Sequence, residues 1–364
     1  MNAGIVLSFH GSLQAILEKT GGDTGRITEF LVFRKFSKSF GRVFVFSHDS
    51  KDYSLLMPEN FTHVNMHSRL FYIAFGWLVV LVYALRYRIR IFYAECGPAL
   101  PPLFLVNKLS GAKVMLNYDN TWFLCASGLK RRLLKRLERF LLSFVDYFVI
   151  SSTEIAEFVG IREGILPIRK GLVLREFDPA HVKPNAIYKD VHGRILVFTG
   201  RLHPVKDPIT MMKAYSIAKK RVKDLRLIVA GEGELRKECE AIADSDVHFI
   251  GFVSDVPSIL KGADLFVLPS AYDASPRSLM EAMAMGLPSV ATKVGGIPDF
   301  LDESCGILIE PGKPKLLAEK IVYLLGRPSL MKAMGKKARE KMLKHHDLDR
   351  NLDWAIRFLK EATG

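Results

Sequence analysis

The second half of the chain alternates short apolar runs with patterns of helical period, and this alternation constrains the fold more than any other feature. The runs are four to six residues long and lie at 194–199, 225–230, 247–250, 264–268, 288–291 and 305–309. Short apolar strands separated by helices are typical of a parallel sheet, because neighbouring parallel strands need a long crossover connection. We therefore predict a doubly wound parallel sheet in this half.

The first half carries the same pattern more weakly. Strands are predicted at 4–9, 42–46, 89–94, 113–118 and 145–151, and helices at 24–39, 70–86 and 129–144. Residues 178–193 are polar, contain two prolines and have no clear period, which is typical of a linker. We predict an α/β chain with two Rossmann-like domains that face a central cleft, at 1–185 and 186–345, and a helix at 346–364 that crosses back to the first domain.

The cysteines and the N-terminus indicate the compartment. Cys96, Cys125, Cys239 and Cys305 are far apart and show no metal-ligand spacing, which favours free thiols in a reducing environment. The first apolar run ends at His10 and has no basic region before it, so it does not resemble a secretory signal. We expect a cytoplasmic protein.

The net charge of +14 favours an anionic partner, and the excess of Lys and Arg is larger in the N-terminal half. Nucleic acid is not expected, because no DNA-binding motif is present and aromatic residues are not interleaved with the basic ones. The acidic triplets DSD at 244–246 and DLD at 347–349 both flank predicted helices of the second half, and we expect neither a metal nor a cofactor there.

Two predicted helices could contact a membrane. Residues 70–85 are sixteen uncharged residues between two arginines, fewer than the roughly 20 that a spanning helix needs. This helix is therefore either part of the first core or partly inserted into one leaflet, for which Trp77 and the arginines are suited. Residues 129–144 form a basic amphipathic pattern, which indicates either an anionic lipid contact or a solvated face. Its basic residues are Lys130, Arg131, Arg132, Lys135, Arg136 and Arg139.

Glycines and charges follow the predicted strands of the second half. In open parallel sheets, ligands bind beyond the carboxyl ends of the strands. Fixed cations and helix N-termini favour anions, and glycine permits close backbone approach. The pattern predicts a site for a nucleoside diphosphate, formed by Gly200, Arg201 and Lys206, by Gly231 and Gly233, and by Gly295 and Gly296.

A glutamate interrupts an otherwise apolar helix at 278–286. Such a helix is typically buried, and a buried carboxylate is costly without hydrogen bonds. A surface position or an internal ion pair fits this pattern poorly, so we assign Glu281 to a ligand. Ser275 and Pro276 are predicted as the N-cap and the first helical residue, and Gly286 as the C-cap.

These residues carry a family resemblance. Residues 200–299 closely resemble the retaining glycosyltransferases of family 4, which have the GT-B fold. The stretch "DASPRSLME" fits the family pattern of an acid, seven residues and Glu, and "GRLHPVK" is similar to its phosphate-binding loop. More loosely, "TGGDTGRITEF" resembles the glycine-rich loop after the first strand, and "DLDRNLDWAIRFL" resembles the closing helix.

The resemblance implies a role for each residue. Arg201 and Lys206 would neutralise the leaving diphosphate, Glu281 would accept hydrogen bonds from the ribose, and Asp273 would hold a hydroxyl of the transferred sugar. The remaining donor contacts would come from Gly21 and Gly22 at the phosphates, Phe252 and Val253 at the base, and Ala274, Ser275 and Pro276 near the sugar.

Three positions depart from the family pattern. Asp273 stands where Glu is usual and Ala274 where Gly is usual, and both differences bear on the donor sugar. The histidine that often follows the fourth strand of the first domain falls on Tyr118 or Asp119. We assign Asp119 to the reacting sugar, with an Asx-type turn as the alternative.

The resemblance implies transfer with retention at the anomeric carbon and without a metal, with the departing phosphate helping to deprotonate the incoming hydroxyl. We expect a hexosyl unit to move from a nucleoside-diphosphate sugar to a lipid-linked or membrane-proximal glycan. The alternatives are a soluble sugar or sugar-phosphate acceptor and a non-catalytic nucleotide-sugar-binding protein. The expected location is the cytoplasm or the inner face of the cytoplasmic membrane.

Overall fold

The computed structural model describes residues 1–6, 34–47, 58–66, 68–95, 99–118, 128–150, 152–166 and 171–363. The chain divides into two compact units, Met1–Lys170 with Leu348–Gly364, and Gly171–Asp347. Each unit contains a six-stranded sheet whose paired strands all run parallel. The predicted α/β class with two doubly wound parallel sheets is confirmed.

The sheet of the first unit has the order β3-β2-β1-β4-β5-β6. Its strands are β1 Asn2–Val6, β2 Val43–Ser47, β3 Phe61–Asn65, β4 Ile89–Glu95, β5 Lys113–Tyr118 and β6 Tyr147–Ile150. Residues 34–39 are helical, at the described end of the helix predicted over 24–39. The further helices in the described part of this unit are α1 Arg69–Arg86, α2 Val106–Ser110, α3 Gly128–Leu142 and α4 Thr153–Val159, with a short 3-10 helix at Pro101–Leu103.

The sheet of the second unit has the order β12-β11-β10-β7-β8-β9. Its strands are β7 Arg194–Thr199, β8 Leu225–Ala230, β9 Val247–Gly251, β10 Leu265–Leu268, β11 Ser289–Thr292 and β12 Gly306–Ile309. Its helices are α5 Pro208–Lys219, α6 Arg236–Ile242, α7 Val256–Lys261, α8 Arg277–Ala284, α9 Ile297–Phe300, α10 Pro314–Leu325 and α11 Pro328–His345. Short 3-10 helices lie at Leu174–Phe177, Ala186–Lys189 and Pro204–Lys206.

The strand order of the second unit creates a crevice. The chain runs from β7 outward through β8 to β9, and then returns to place β10 on the other side of β7. The order therefore reverses between β7 and β10, and the chain continues from these two adjacent strands toward opposite edges of the sheet. Such a switch point is where ligands bind in open α/β sheets.

The central strands are apolar on both faces because helices cover both sides of the sheet. All four residues of β10 are buried, and so are the last five residues of β7. This burial explains why the sequence shows continuous apolar runs here instead of an alternating pattern. It also makes the second sheet a rigid support for the loops at its edge.

The last helix, α12 Leu348–Thr363, packs against β4 and β5. Its buried face includes Leu352 and Leu359, and its polar face forms ion pairs with Lys35. The Lys35 Nζ lies 3.3 Å from an oxygen of Asp349 and 2.5 Å from one of Asp353. The helix therefore belongs to the first unit although it follows the second in sequence.

The polar stretch at 178–193 packs on the second unit. The Asn185 N–H donates to the Ser258 carbonyl at 3.0 Å, and Val191 is buried in the core of this unit. Leu174 and Phe177, just before the stretch, lie in the same core. The prediction of a linker here is wrong, and the boundary falls at 170/171 and not at 185/186, because a few spaced apolar side chains dock an otherwise polar segment.

Candidate functional site

A cavity of about 480 Å³ lies at the carboxyl ends of β7, β8 and β9 in the second unit. The loop after β7, the loop after β8 and the start of α8 contribute most of its lining. The structure brings together eight predicted site residues there: Gly200, Arg201, Lys206, Gly231, Phe252, Val253, Ser275 and Glu281. The lining also includes Thr199, Ala230, Glu232, Val256, Arg277 and Ser278, which the sequence analysis did not assign.

The loops after β7 and β8 pack directly against each other. A Cβ added to Gly231 would stand 1.9 Å from the Gly200 carbonyl oxygen, so only glycine fits at this position. The Gly231 N–H donates to the Gly251 carbonyl at 2.7 Å, which ties in the end of β9. Gly233 similarly abuts the backbone of Leu202 and does not line the cavity. The glycines thus fix the shape of this edge.

The Lys206 ammonium forms an ion pair with Asp273. Lys206 Nζ lies 2.5 Å from Asp273 Oδ2, and the carboxylate is almost fully buried. The Ala271 N–H donates to the Val205 carbonyl at 2.9 Å, which joins the loop after β7 to the loop after β10. The two predicted residues therefore meet at the switch point of the sheet.

The loop after β11 contacts the backbone carbonyl of Asp273. The Gly296 N–H donates to the Asp273 carbonyl at 2.8 Å. Gly295 has a φ of 54°, and a Cβ there would lie 2.3 Å from the same carbonyl oxygen. These two glycines do not line the cavity, and neither do Asp273, Ala274 and Pro276. Gly295 and Gly296 instead contact the backbone of the loop that carries the Asp273 carboxylate.

Glu281 is 5% exposed and lines the cavity. Its Oε1 lies 2.9 Å from Nε of Arg277, one helical turn earlier in α8. The sequence analysis rejected an internal ion pair for Glu281, and that interpretation is wrong. The spacing of Arg277 and Glu281 permits this pair, since positions i and i+4 lie on one helical face, but it does not by itself show that Arg277 turns inward.

The start of α8 also differs from the prediction. The N-cap position falls on Pro276, without a side-chain cap, and not on Ser275. The Ser275 hydroxyl is buried and makes no hydrogen bond to any described residue, and the same holds for the Thr199 hydroxyl. Both residues line the cavity. Because buried hydroxyls are normally satisfied, these two groups indicate positions where a ligand can bond. Gly286 follows the last turn with a φ of 76°, as a helix-ending glycine does.

The cavity combines charge with one exposed aromatic ring. Three of its lining residues are cations (Arg201, Lys206 and Arg277), and two are carboxylates (Glu232 and Glu281). Phe252, on the loop after β9, is 75% exposed. An exposed ring beside a cationic cavity can stack on a planar group while the cations bind an anion.

The predicted residues of the first unit are distributed differently. Gly21, Gly22 and Asp119 lie outside the described residues. Tyr118 is buried, and its hydroxyl donates to Glu138 at 2.7 Å. Burial, with the adjacent Glu138 charge and hydrogen bond, raises the pKa of the Tyr118 phenol. Tyr118 therefore serves the core of this unit, and of the two alternatives only Asp119 stays a prediction.

Helix α1 exposes one apolar face. Its other face is buried through Tyr72, Val80 and Ala84. Trp77 is half-buried, and its ring centroid lies 6.0 Å from that of Phe104. The exposed residues are Leu70, Phe71, Ile73, Phe75, Leu78, Val82 and Leu85.

Helix α3 exposes an apolar stripe of Leu129, Leu133, Leu137 and Phe140. Phe140 lies 5.7 Å from Phe104 between ring centroids, so aromatic contacts connect the stripe to α1. We call the exposed face of α1 and this stripe the apolar surface of the first unit. Of the predicted basic residues, Lys130, Arg131, Arg132, Arg136 and Arg139 are exposed and Lys135 is half-buried. None of the helices in the described ranges has the length and apolar character needed to cross a bilayer.

The described cysteines are free thiols, and the described acidic, histidine and cysteine side chains form no metal site. Cys239 and Cys305 are buried free thiols, and burial raises the pKa of Cys239 to about 11. Cys96 and Cys125 lie outside the described residues. Within the described part of the chain, no three His, Cys, Asp or Glu side chains are grouped so as to hold a metal ion.

Comparison with known families supports the resemblance. Residues 193–327 match the family described as Glycosyl transferases group 1. One curated relative is the UDP-Gal:alpha-D-GlcNAc-diphosphoundecaprenol alpha-1,3-galactosyltransferase of Escherichia coli, 26% identical over 199 residues, or 51% of each chain. Another is the N,N'-diacetylbacillosaminyl-diphospho-undecaprenol alpha-1,3-N-acetylgalactosaminyltransferase of Campylobacter jejuni, 26% identical over 254 residues, or 64% of each chain. The matched regions thus span about half to two thirds of these relatives.

Solved structures match over nearly the whole chain. A glycosyltransferase of Rickettsia africae has a TM-score of 0.77 at 18% identity, covering 99% of this chain and 97% of that one. Anabaena HepE, solved with UDP and glucose, has a TM-score of 0.75 at 18% identity, covering 99% and 100%. These likenesses confirm the GT-B fold.

Proposed function

We propose that this protein, whose residues 193–327 match the glycosyl transferases group 1 family, transfers a hexosyl unit from a nucleoside-diphosphate sugar to a hydroxyl of a lipid-linked or membrane-proximal glycan. The observation that carries the proposal is the cavity at the strand ends of the second unit, where Glu281 and three cations converge. A cavity of about 480 Å³ is within the size range of small-molecule sites.

The donor nucleotide would occupy this cavity. The Glu281 carboxylate accepts hydrogen bonds from the two ribose hydroxyls, and Phe252 stacks on the base beside Val253. The Ser275 and Thr199 hydroxyls, which lack partners among the described residues, bond to the phosphates or the sugar. UDP in the structure of Anabaena HepE supports a uridine nucleotide here.

The diphosphate leaving group would be neutralised by Arg201 and Lys206. Both side chains line the cavity, and Lys206 already faces a carboxylate in Asp273. As the bond from the anomeric carbon to the phosphate oxygen breaks, negative charge develops on the diphosphate, and fixed cations stabilise it. Because these cations can supply the charge that a divalent metal supplies elsewhere, the proposed transfer needs no metal.

Retention at the anomeric carbon follows if the acceptor hydroxyl attacks from the face that the phosphate leaves. The departing phosphate oxygen then takes the hydroxyl proton. Asp273 holds a hydroxyl of the transferred sugar and so fixes the ring for this attack. Asp119 would stand beside the reacting sugar, and Gly21 and Gly22 would approach the phosphates.

The acceptor and the location are proposed from the apolar surface of the first unit. Large exposed apolar patches mark interaction sites, and this one has Lys130, Arg132 and Arg136 beside the stripe on α3. Apolar side chains flanked by cations fit the surface of an anionic membrane. The names of the Escherichia coli and Campylobacter jejuni relatives indicate acceptors linked to undecaprenol, which reside in membranes. We therefore place the protein peripherally on the inner face of the cytoplasmic membrane.

Transfer of labelled sugar tests the proposal. The full chain is incubated with UDP-, GDP- and ADP-linked ¹⁴C-hexoses and with lipid extracted from bacterial membranes, and the label in the organic phase is counted. We expect transfer from one donor, and a fall of at least about 100-fold for Glu281→Ala. Glu319→Ala, an exposed glutamate of α10, is the matched control and should leave transfer unchanged.

Each other outcome has a distinct meaning. Label that enters only water-soluble glycans would remove the lipid-linked acceptor but keep the transferase. Failure to consume any of the donors would contradict the transferase itself. Loss of transfer on chelation with EDTA would contradict metal independence. Inversion of the anomeric configuration in the product, read from the coupling of its anomeric proton, would contradict retention.

A further inference from the structure

A second cavity, of about 550 Å³, opens in the first unit. It lies between the C-terminal end of α3 and the residues that follow α4. Its walls carry both apolar and charged side chains, with Arg139 from α3 on one side and Arg162 on the other. Neither the family match, which begins at residue 193, nor the proposed donor site includes this cavity.

The cavity lies at the amino-end edge of its sheet. Val145 lies just before β6, and Phe148, within it, donates its N–H to the Gly164 carbonyl at 2.8 Å. The segment that follows α4 therefore returns to the start of β6. Because ligands that react on open parallel sheets bind at the carboxyl ends, this position indicates a role other than holding the reacting sugar.

The cavity has an apolar floor and a charged rim, at which Arg139 and Arg162 outnumber the one carboxylate, Glu163. Leu142, Val145 and Phe148 on the floor are buried, whereas Arg139 and Arg162 at the rim are exposed. The Arg139 Nη2 reaches the opposite wall, since it lies 3.6 Å from where a Cβ on Gly160 would stand. Both arginines line this one cavity. Arginine binds phosphate with parallel hydrogen bonds, and two arginines can hold one phosphate group.

The surroundings of the cavity indicate where its ligand comes from. Phe140, in the last turn of α3, belongs to the exposed apolar stripe, and the Ser143 hydroxyl in the cavity wall donates to its carbonyl at 2.6 Å. The wall of the cavity therefore adjoins the C-terminal end of the apolar stripe on α3. A free phosphate would leave the apolar floor unused, whereas a phosphate joined to a hydrocarbon chain would contact both floor and rim.

We propose that this cavity is a binding site for a lipid phosphate, with the phosphate between Arg139 and Arg162 and the first part of the chain on Leu142, Val145 and Phe148. The site concerns lipid recognition by the first unit. It goes beyond the proposed transfer reaction and stands or falls independently of it.

The test uses a short-chain lipid that is soluble as a monomer. Dihexanoylphosphatidic acid is titrated by calorimetry into the full chain, below its critical micelle concentration. Arg162→Gln should weaken binding by at least about tenfold, because it removes a charge-assisted phosphate contact. Arg221→Gln removes an exposed arginine of the second unit and has the same effect on net charge, so it serves as the matched control and should bind like the wild type.

A gain-of-binding variant and two other ligands complete the test. Glu163→Gln removes the carboxylate of the cavity wall and should strengthen binding severalfold, which a merely misfolded variant would not do. Inorganic phosphate and dihexanoylphosphatidylcholine should each bind at least about tenfold more weakly, since one lacks the chain and the other the exposed phosphate charge. The proposal is overturned if the wild type does not bind the lipid, if Arg162→Gln binds it equally well, or if inorganic phosphate binds as tightly.

Discussion

Two ion pairs hold the carboxylates of the candidate donor site. Arg277 pairs with Glu281, and Lys206 pairs with Asp273. A buried charge is tolerated only when it is paired or hydrogen-bonded, so these cations offset the cost of burying the two carboxylates. In the proposed reaction Lys206 also faces the diphosphate, and the ligand hydroxyls add to the hydrogen bonds of the two carboxylates.

The pair between Arg277 and Glu281 should be measurable as a coupling free energy. Arg277→Gln removes a charge-assisted hydrogen bond to a carboxylate that is almost fully buried, and such bonds contribute about 1.5–3 kcal/mol. A double-mutant cycle with Glu281→Gln, measured by urea unfolding, should give a coupling of about this size. Effects of the two substitutions that simply add would contradict the structural role of the pair.

Lys206 should matter for turnover more than other lysines of the same unit. Lys206→Met removes a cation of the cavity, and we expect turnover to fall by about 100- to 1000-fold, as for the loss of one fixed group that stabilises developing charge. Lys213→Met, an exposed lysine on α5, is the control and should retain wild-type turnover. Equal rates for the two variants would show that Lys206 does not face the leaving group.

At the scale of residues, the sequence allowed Glu281, Arg201 and Lys206 to be placed in one site, because an acid in an apolar helix and cations after a strand are local signals. The ion pair of Glu281 was missed. Whether Arg277 turns inward depends on the tertiary position of α8, which spacing alone does not determine.

At the scale of elements, Asp246 connects three segments of the second unit. Its carboxylate, just before β9, lies 2.5 Å from Lys219 Nζ at the end of α5 and 3.0 Å from Arg226 Nε in β8. The hydrogen bond from Lys219, with the adjacent charges, holds the pKa of Asp246 below its usual value. The two ion pairs of Asp246 therefore stabilise the arrangement of β8, β9 and α5 while Asp246 is ionised.

This depressed pKa predicts an acid-dependent loss of stability. A group with a lowered folded-state pKa contributes stability above its unfolded pKa, about 3.9 for Asp, and loses it as the pH falls through the folded value. Asp246→Asn should lower the urea midpoint at pH 6. Below about pH 4, the urea midpoint of this variant should fall less steeply with pH than that of the wild type. Asp190→Asn, an exposed aspartate, is the control. Parallel pH profiles for Asp246→Asn and the wild type would contradict the assignment.

The central strands of the second unit, β7, β8, β10 and β11, matched their sequence signals closely because nearly all of their residues are buried. β3, Phe61–Asn65, was missed because it lies at the edge of the first sheet and reads FTHVN. Only Phe61 and Val64 of its side chains are buried, so the apolar signal is too short to stand out. An edge strand of this kind is specified by its pairing with β2, which a local pattern does not reveal.

At the scale of the whole molecule, the apolar surface of the first unit predicts binding to anionic vesicles. Leu137 and Leu343 are exposed to 47% and 46%, each on a long helix of a different unit. Leu137→Asp should reduce flotation with vesicles rich in phosphatidylglycerol by at least about tenfold, since it replaces an inserted apolar side chain by a charge. Leu343→Asp should not. Equal flotation of both variants, or none by the wild type, would contradict membrane docking.

The two-sheet organisation could be predicted from the sequence, but the boundary between the units could not. A polar segment with two prolines resembles a linker whether or not it docks, and its docking depends on contacts such as that of Asn185 with the Ser258 carbonyl, far away in the chain. The prediction that the last helix returns to the first domain came from the family resemblance and not from a local sequence pattern.

Calorimetric titration with UDP, GDP and ADP tests the central claim most directly, because the whole account depends on a nucleotide site in the second unit. We predict that the wild type binds one of these nucleotides and that Glu281→Gln weakens its binding by at least about tenfold, because hydrogen bonds to a charged acceptor are lost. Glu319→Gln should bind like the wild type. The account is contradicted if none of the three binds, or if Glu281→Gln binds as tightly as the wild type.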